Sequence, residues 1–491
     1  MTKRSRSTSR RKTVKRPSKT LTIVNIVLLV VFTLLSAIAL FLMFKYQFLA
    51  FRHLNIALTA VLGVIFVVSL LLIILKKWQL GTSVILVLSS LVSSMLLFGF
   101  NSAIGVANKM NETASYSEVE MSIVVPKDSS ISDVSQLTSV QAPTNNDASN
   151  INALIEQISK DKGVTLTTET VDSYRAAYEN LIAGSSQAMV MNSAYSGLLE
   201  LSYSDYADNV KSIYTYTVKV AKESDDNTST DANVFNIYIS GIDTYGSIST
   251  VSRSDVNIIL TVNMNTHKIL MTTTPRDSYV QIPDGGANQY DKLTHAGIYG
   301  VQTSEKTLEN LYGIPIDYYA RINFTSFLNL IDAVGGVTVY NDQAFTSLHG
   351  NYQFEVGNVT LNSDKALGFV RERYSLQNGD YDRGENQLKV IQAIINKLTS
   401  LSSISSYSTI ITSLENSVQT DMSLDKMMEL ANAQLDSGKS FTITSQEVTG
   451  TGSTGTLVSY AMPTASLYMI QLDQTSVATA SQAIKDVMAG K

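Results

Sequence analysis

The sequence predicts three N-terminal transmembrane helices followed by extracellular α/β domains. Three apolar runs without a charged residue occupy residues 21–44, 54–75 and 80–100. Each run reaches the roughly 20 residues that cross a bilayer. After residue 101 these runs give way to short segments in which strand and helix patterns alternate. The length of 491 residues leaves room for two such domains beyond the membrane part.

The charges divide the chain at the same place. Residues 1–100 carry 13 Lys and Arg and no acidic residue, whereas residues 101–491 carry the other 24 and all 42 Asp and Glu. Nine of the 13 lie in the basic tail before the first run, and Lys76 and Lys77 lie between the second and third runs. The positive-inside rule therefore places the tail, residues 1–20, in the cytoplasm and residues 101–491 outside the cell.

The first apolar run also argues against a cleaved signal peptide, whose apolar region has only about 7–15 residues. We therefore expect an uncleaved anchor that crosses the cell membrane three times. The basic tail is explained by this topology and by contact with anionic membrane lipids. DNA binding by the tail is the alternative, but the tail has neither a helix-turn-helix pattern nor interleaved aromatic residues, so nucleic acid is not an expected partner.

The composition excludes several kinds of site. The chain has no cysteine, which excludes a disulfide scaffold, a cysteine-ligated zinc site, an iron–sulfur cluster and a cysteine nucleophile. Only four histidines are present, which leaves few candidates for a histidine metal site or a Ser-His-Asp triad. An exported chain without cysteine is consistent with a Gram-positive cell surface.

Residues 101–115 are predicted as a polar connector and residues 116–220 as a small accessory α/β domain. Strand patterns are expected at 119–125, 164–171, 189–191 and 213–218. One helix is expected from about 151 to Gly163, and a second begins at a cap on Asp172 and ends at Gly184. We find no catalytic constellation in this domain. Residues 221–233 have the composition of a linker.

Residues 234–480 are predicted as a second α/β domain. Strands are expected at 235–242, 256–262, 268–274 and 337–340, and a late hairpin is expected from 441–448 and 457–462. Helices are expected at 304–312, 324–334, 385–398 and 424–435. The glycines at Gly450, Gly452 and Gly455 are interpreted as the hairpin loop, because no helix follows them as a dinucleotide site requires.

Several of the scarce basic residues stand at the ends of these elements. They are Arg253, Arg276, Lys292, Arg371, Arg373 and Arg383, and Arg383 shares a helix face with Gln387. Guanidinium groups form bidentate, charge-assisted hydrogen bonds with phosphate oxygens. Asp243 and Asp255 flank the loop between the first two strands, and Mg²⁺ is typically held by one or two carboxylates together with substrate phosphates.

Each of these residues also has an ordinary structural interpretation. A single arginine is more commonly a surface or salt-bridge residue, and Glu372 and Asp380 could pair with neighbouring arginines. Asp243 and Asp255 could be a turn residue and a helix or strand cap. The residue pattern alone therefore indicates an anion site with a metal, without naming a reaction.

Eight short motifs follow one another along the chain. They are Gly241-Ile242-Asp243, Arg253-Ser254-Asp255, Thr274-Pro275-Arg276-Asp277, Lys292-Leu293-Thr294-His295-Ala296, Asp332-Ala333-Val334-Gly335-Gly336-Val337, Leu361-Asn362 with Ala366-Leu367, Val370-Arg371-Glu372-Arg373, and Asp382-Arg383 with Gln387. Taken in this order, they resemble the LytR-CpsA-Psr family, and the resemblance runs from about residue 234 to the C-terminal region. The three-span anchor and residues 116–220 resemble the capsule-locus members of that family.

The resemblance implies a mixed β-sheet flanked by helices and a membrane-anchored extracellular phosphotransferase. Such an enzyme moves a glycopolymer, here capsular polysaccharide, from an undecaprenyl-pyrophosphate carrier to a peptidoglycan hydroxyl. It also implies a long apolar groove for the polyprenyl tail, and membrane lipids and other capsule-assembly membrane proteins as partners. By motif, the implied residues are Arg276, Arg371, Arg373 and Arg383 as catalytic groups, Arg253, Lys292 and Gln387 as substrate-binding groups, and Asp243 and Asp255 as ligands of Mg²⁺.

Two small departures from the family pattern, at Thr274 and Asn386, leave Arg276 and Gln387 in place. No general base is obvious: Asp243 or Asp255 could serve, although both are favoured as metal ligands. Two alternative functions stay open. One is a membrane-bound regulator of capsule synthesis, which deletion of residues 3–19 would test. The other is a non-catalytic module that binds polyprenyl phosphate without releasing a product.

Overall fold

The computed structural model describes residues 18–221, 233–242, 248–399 and 418–491. The chain divides into two compact units: Met1–Ile104 with Leu424–Gly438, and Gly105–Ser423 with Lys439–Lys491. Asp243 and residues 222–232 of the expected linker lie outside the described residues.

The first unit contains the apolar helices. They are α1 (Lys19–Lys45), α2 (Leu54–Ile74) and α3 (Gln79–Ala114), of which the part after Ile104 belongs to the second unit. Each is long and apolar enough to cross a membrane. Polar groups between α1 and α3 satisfy one another, as the Ser36 and Ser93 hydroxyls do at 2.9 Å. This pairing suits a hydrocarbon environment, where an unsatisfied polar group is costly.

Residues 101–114, which the sequence assigns to a polar connector, continue α3 as helix. The reason is an apolar face of helical spacing within this polar stretch: Val106, Ala107, Met110 and Ala114 recur every three or four residues, and all four side chains are buried.

The second unit begins with a domain built on a five-stranded sheet, which we call the first sheet domain. Its sheet order is β3-β2-β4-β1-β5. Strand β2 is parallel to β3 and β4, whereas β1 is antiparallel to β4 and β5. The elements are β1 (Tyr116–Pro126), β2 (Ser139–Ala142), α4 (Ala148–Lys162), β3 (Thr167–Thr170), α5 (Tyr174–Ile182), β4 (Met189–Asn192), α6 (Ser196–Ser202), α7 (Tyr206–Asn209) and β5 (Val210–Ala221).

The local signals in this domain explain its helices. Ile151, Leu154 and Ile158 form the buried face of α4, and Gly163 ends that helix with a φ of 66°. The cap of α5 is Ser173, whose side chain accepts a hydrogen bond from the Ala176 amide, and not the expected Asp172. A short hydroxyl side chain in extended backbone makes Ser173 an efficient cap.

The rest of the second unit is built around a six-stranded mixed sheet, and we call it the second sheet domain. The order is β16-β11-β6-β7-β8-β17. Strands β6, β7 and β8 are antiparallel neighbours, β11 is parallel to β6, and β17 is parallel to β8. The sheet strands are β6 (Val234–Ile242), β7 (Ser254–Asn263), β8 (Lys268–Thr273), β11 (Tyr318–Ile322), β16 (Gln419–Thr420) and β17 (Thr442–Glu447).

Helices and two-stranded pairs cover this sheet. The pairs are β9 (Tyr279–Ile282) with β10 (Gln289–Lys292), β12 (Val337–Asn341) with β15 (Gly357–Leu361), β13 (Phe345–Thr346) with β14 (Gln353–Phe354), and β18 (Gly450–Thr454) with β19 (Tyr468–Leu472). The helices are α8 (Leu293–Ala296), α9 (Val301–Tyr312), α10 (Phe324–Ala333), α11 (Ser363–Arg371), α12 (Asp380–Thr399) and α14 (Gln474–Met488). A further helix, α13 (Leu424–Ser437), lies between β16 and β17 in sequence but belongs to the first unit.

The expected late hairpin of 441–448 with 457–462 is wrong. Residues 457–462 are not a strand, and β17 pairs with β8 at the edge of the mixed sheet. The hairpin is formed instead by β18 and β19, so Gly450 and Gly452 lie in a strand and not in a loop.

Helix α13 belongs to the first unit, although β16 and β17 on either side of it in sequence belong to the second. It packs on the loop that joins α1 and α2. The Asn432 amide nitrogen donates to the Gln47 carbonyl at 2.9 Å, and the Arg52 amide donates to Asp436 at 2.6 Å. The chain thus returns to the helical unit between two sheet strands.

Candidate active site

A large cavity opens beside the mixed sheet, between its strand ends and the helices α10, α11 and α12. Its volume is about 1130 Å³. The sheet contributes Gly241 and Val256 to its wall. Gly241 is required by close packing, because a Cβ at this position would lie 2.6 Å from Cγ2 of Val256. The neighbouring irregularity in the β6–β7 register bends the chain at the entry to the next loop.

All of the site residues predicted from the sequence, except Asp243, line this one cavity. Asp243 lies outside the described residues. The lining includes five arginines and one lysine against four carboxylates. The basic residues are Arg253, Arg276, Lys292, Arg371, Arg373 and Arg383, and the acidic ones are Asp255, Asp277, Glu372 and Asp380. Residues 101–491 carry more acidic than basic side chains, yet in this cavity the basic side chains outnumber the acidic ones. The resulting positive charge suits an anionic ligand.

Arg276 and Asp255 form an ion pair at the sheet edge. Arg276 follows β8 and Asp255 lies in β7, and Nη1 is 2.5 Å from Oδ2. The other Asp255 oxygen accepts a hydrogen bond from the Thr294 hydroxyl at 3.3 Å. Burial raises the pKa of the Asp255 carboxyl, but the charges of Arg276 and Arg253 outweigh burial and hold that pKa below its usual value. Asp255 is therefore an ionised oxygen donor beside the anion site.

Asp277 contacts three cationic side chains of the cavity. Its Oδ1 is 2.6 Å from Nζ of Lys292 and 3.6 Å from Nε of Arg276, and its Oδ2 is 3.6 Å from Nη1 of Arg373. The side chain is only 2% exposed. Burial raises the Asp277 pKa, but Lys292 and Arg276 bring it below the usual value. The Asp277 carboxylate thus stabilises three positively charged side chains that lie close to one another.

Arg371 and Arg373 come from the end of α11 and the turn after it. The Arg371 guanidinium carbon lies 4.1 Å from the centre of the Phe324 ring. Arg373 stacks on Tyr374 at 4.7 Å, and its Nη2 also donates to the tyrosine hydroxyl at 2.8 Å. Stacking on an aromatic face fixes the plane of a guanidinium while its nitrogen donors remain directed at a ligand.

Glu372, between these arginines, is bound by backbone amides. Its carboxylate accepts the backbone amides of Leu348, Arg373 and Ser375 at 2.5–2.9 Å. It therefore ties the turn that carries Arg373 to the loop at residue 348. Burial raises the Glu372 pKa, but these three amides outweigh burial and lower it.

Arg383 and Gln387 lie one turn apart on α12, as their spacing predicts, and each is 9% exposed. Arg383 forms an ion pair with Asp380. Burial raises the pKa of Asp380 in spite of this pair. The Gln387 amide donates to the Val370 carbonyl at 3.3 Å, which joins α12 to α11.

The rest of the cavity wall is largely apolar, and two of its lining side chains are exposed. Leu348 and Tyr374 are 79% and 76% exposed, although both line the cavity. The apolar lining is Ile239, Ile242, Val256, Ile322, Phe324, Phe327, Leu367, Val370, Leu376, Val390, Ile391 and Leu467. One cavity thus joins a cationic surface to an apolar one, an arrangement suited to a ligand with an anionic head and a hydrocarbon tail.

The donor chemistry of the site fits a hard cation only in part. Asp255 supplies a carboxylate at the cavity, but its Oδ2 is paired with Arg276. Within the described ranges, no group of three or more His, Cys, Asp or Glu side chains is placed to hold a metal. Among the described residues, a cation here would therefore have the Asp255 carboxylate and the oxygens of a bound phosphate as ligands.

The sequence did not indicate the roles of Asp277, Glu372 and Arg321. Asp277 stands next to Arg276 in a motif and Glu372 between two arginines, so their positions were visible but their contacts were not. Arg321 lies in β11 and is 2% exposed, and its donors meet backbone carbonyls of residues that precede Arg253. An isolated arginine in a strand gives no sequence signal for such a contact.

The family comparison covers more than half of the chain. The model described as the LytR_cpsA_psr family matches residues 199–476. A second model, described as DNA polymerase processivity factor, matches residues 76–191. That match begins just before α3 and covers less than half of the chain, so it does not set the family of the whole chain.

Three similar proteins illustrate the relationship. A polyisoprenyl-teichoic acid–peptidoglycan teichoic acid transferase TagU from Oceanobacillus iheyensis is 39% identical over 231 residues, which are 46% of this chain and 69% of that protein. TagU from Enterococcus faecalis is 36% identical over 52% of this chain and 83% of its own length. The crystal structure of Bacillus subtilis TagV is 25% identical, with a TM-score of 0.45, over 53% of this chain and 99% of that one.

The family match spans the residues that build the cavity. The order of the motifs in the sequence and the residues that line the cavity agree with this family match. The chain belongs to the LytR-CpsA-Psr family.

Proposed function

We propose that this chain is a membrane-anchored phosphotransferase that attaches a glycopolymer to peptidoglycan outside the cell. The observation that carries the proposal is one cavity that is lined by five arginines and Lys292 together with many apolar side chains. The names of the TagU relatives, which are transferases of teichoic acid to peptidoglycan, support the reaction class. The substrate proposed is a polysaccharide linked to a polyprenyl pyrophosphate.

The proposed reaction is a displacement at phosphorus. The oxygen of a peptidoglycan hydroxyl attacks the phosphorus bonded to the sugar, and the bond from that phosphorus to the bridging oxygen of the pyrophosphate breaks. The polymer leaves on its new phosphodiester, polyprenyl monophosphate is released, and the hydroxyl proton passes to a base. Such a transfer depends mainly on positioning and charge stabilisation.

The basic side chains divide this work. Arg276, Arg371, Arg373 and Arg383 are proposed to bind the pyrophosphate oxygens and stabilise the charge that develops on the leaving group. Arg253, Lys292 and Gln387 are proposed to bind and orient the substrate. The ion pairs of Arg276 and Arg383 with Asp255 and Asp380 hold the guanidinium groups before substrate arrives.

Magnesium is proposed as a cofactor held by Asp243 and Asp255 together with phosphate oxygens. The ionised Asp255 oxygen next to the arginines supports this proposal. When bound, Mg²⁺ would add charge neutralisation at the pyrophosphate.

The extracellular placement is proposed from the basic tail and the three apolar helices. The positive-inside rule places the tail in the cytoplasm, and three crossings would then put the sheet domains outside the cell.

The polymer is proposed to be capsular polysaccharide. The three-span anchor and the first sheet domain, which resemble capsule-locus members of the family, support this choice. The apolar wall is proposed to receive the polyprenyl tail, so the carrier remains in or near the bilayer while its head group reacts.

Replacement of Arg371 or Arg276 by alanine tests the function. We expect the Arg371→Ala and Arg276→Ala variants to lose about 100-fold or more in turnover, because each change removes a charged donor from a site built on electrostatic stabilisation. The measurement is release of polyprenyl phosphate by the full-length protein with lipid-linked polysaccharide, peptidoglycan and Mg²⁺.

The matched control is Arg175→Ala, since Arg175 pairs with Glu179 on α5 and does not line the cavity. Unchanged turnover in both cavity variants would show that these arginines do not act in the reaction. Tight binding of the lipid by the wild type without product release would favour the non-catalytic binding module.

A further inference from the structure

The segment just before Arg253 is held by both sheet domains. From the first sheet domain, the Glu118 amide in β1 donates to the Ser249 carbonyl at 3.1 Å, and the Val251 amide donates to the Glu118 carbonyl at 3.1 Å. The Ser249 hydroxyl also donates to the Glu118 carboxylate. Val251 is 4% exposed and belongs to the core of the first sheet domain.

From the second sheet domain, Arg321 of β11 binds the same segment. Its Nη1 donates to the Ile248 carbonyl at 3.1 Å and its Nη2 to the Thr250 carbonyl at 2.8 Å. Burial lowers the Arg321 pKa to about 10, so the guanidinium stays charged at neutral pH and forms strong bonds with both carbonyls. The backbone at residues 248–251 therefore has little freedom.

Two glycines then enclose Arg253 itself. Gly297 lies against its backbone, where a Cβ would be 2.6 Å from the Ser252 carbonyl oxygen and the Ser254 nitrogen. Gly197, the second residue of α6 in the first sheet domain, lies against its guanidinium. A Cβ at Gly197 would be 3.2 Å from Nη2 and 3.4 Å from Cζ of Arg253.

The backbone of Gly197 does not itself demand glycine, because its φ lies outside the left-handed region. The close approach of the Arg253 guanidinium is what a larger side chain would disturb. Since Arg253 also lines the cavity, α6 reaches the anion site through this contact.

We propose that the first sheet domain is a structural part of the phosphate-binding site, in which β1 and Gly197 of α6 position Arg253. The proposal rests on the proposed function, because it assigns a task within the same cavity. Arginine has many rotamers, and a guanidinium held against α6 is already oriented when the pyrophosphate enters. Gly197 is thus a positioning residue that acts through Arg253.

A double-mutant cycle on Gly197 and Arg253 tests this directly. The full-length protein is compared as wild type, Gly197→Leu, Arg253→Ala and the double variant, with a synthetic polyprenyl-pyrophosphate-linked oligosaccharide as substrate. We expect Gly197→Leu to lower kcat/KM by about 10- to 100-fold, since small misplacements of a catalytic group have effects of this size. We expect no further loss when Gly197→Leu is added to Arg253→Ala.

The matched control is Ser202→Leu, which adds the same side chain to an exposed position of α6 and should leave kcat/KM unchanged. If Gly197→Leu does not fold, as judged by thermal unfolding, Gly197→Ala replaces it. For that variant we expect a smaller loss, about 2- to 5-fold, with the same lack of additivity.

The proposal is overturned if Gly197→Leu folds and keeps kcat/KM within about twofold of the wild type, or if its effect multiplies fully with that of Arg253→Ala. A wild type that turns over no substrate would instead refute the proposed function. In that case the same four proteins are compared for binding of the same lipid pyrophosphate, where the same cycle decides the positioning role.

Discussion

At the scale of single residues, Asp277 links the cations of the cavity. Lys292, Arg276 and Arg373 lie within 3.6 Å of its two oxygens, and the side chain is nearly inaccessible. Without the Asp277 carboxylate, the positive charges of these three side chains would lie close together with less negative charge to neutralise them. Burial already lowers the pKa of Lys292, and Asp277 is the neighbour that offsets this effect.

The Asp277→Asn variant is therefore expected to unfold at a lower temperature at pH 7. Loss of one partner of a buried ion pair costs about 3–5 kcal/mol. Because the Asp277 pKa is lowered in the folded protein, its contribution is present above the ordinary value of 3.8 and is lost as the pH falls. The difference from the wild type, measured as the thermal midpoint, should shrink below that pH.

Asp284→Asn is the control for this change, because Asp284 pairs with Lys306 at 3.3 Å in an exposed position. An exposed pair contributes only about 0–1 kcal/mol. Equal midpoints for Asp277→Asn and the wild type at pH 7 would show that the cations do not depend on this carboxylate.

The sequence identified which residues meet at the cavity far better than it identified their contacts. Arg383 and Gln387 follow from helical spacing, and both line the wall. The role of Glu372 does not follow, because its three hydrogen-bond donors are backbone amides brought together by a turn. Backbone amides are the same for every residue, so a sequence does not mark them.

At the scale of elements, strand β17 and helix α12 meet at a buried carboxyl. Glu447 ends β17, and its Oε1 lies 2.9 Å from the position that a Cβ on Gly384 of α12 would occupy. Within the described ranges this oxygen has no hydrogen-bond partner. Burial, together with the charges of Asp380, Glu385 and Asp382, raises the pKa of Glu447 to about 8.

Stability should therefore fall as the pH rises between about 4.5 and 8. The folded protein holds the Glu447 proton through this window while the unfolded chain releases it, so proton loss favours unfolding. Glu447→Gln keeps a neutral side chain of similar size and should remove this part of the pH dependence. We expect its thermal midpoint to exceed that of the wild type at pH 9 and to approach it at pH 5.

Glu156→Gln, at an exposed position of α4, is the control and should leave the pH profile unchanged. A Glu447→Gln profile that runs parallel to the wild type from pH 5 to pH 9 would show that this carboxyl does not titrate in that range.

The elements that the sequence predicts well are those with a local pattern. Helix α4 and strands β6 to β8 follow from periodicity and turn residues. Strand β18 does not, because Gly450 and Gly452 have low strand propensity. They are needed by the partner strand: a Cβ at Gly452 would overlap the Tyr468 ring, and one at Gly450 would lie 2.4 Å from the Gln471 carbonyl oxygen. Such a pairing is set by tertiary contact.

At the scale of the second unit, β19 contributes buried side chains to two hydrophobic cores. Met469 is fully buried in the core of the first sheet domain, whereas Ile470 and Leu472 are buried in a core of the second. Successive side chains of a strand point to opposite faces, so one short strand joins both interiors. Met462 and Leu467, from the preceding loop, also pack in the core of the first sheet domain.

Met469→Ala is therefore expected to loosen a domain that lies far from it in sequence. Truncation of a buried methionine costs about 2–5 kcal/mol. We expect faster amide hydrogen exchange in β1 and β4 of the full-length protein, measured by mass spectrometry. Gln471→Ala, at an exposed position of β19, is the control and should change neither strand. Faster exchange confined to β18 and β19 would contradict the shared core.

The shared strand also sets an order of events during synthesis. The first sheet domain leaves the ribosome early, but its interior is completed only when residues 462–469 have followed. About 250 residues separate the end of β5 from Met469, and at a synthesis rate of roughly 5–20 residues per second this delay is on the order of 10–50 seconds. Throughout that interval the hydrophobic surface of the first sheet domain is incompletely covered and is open to proteases and folding factors.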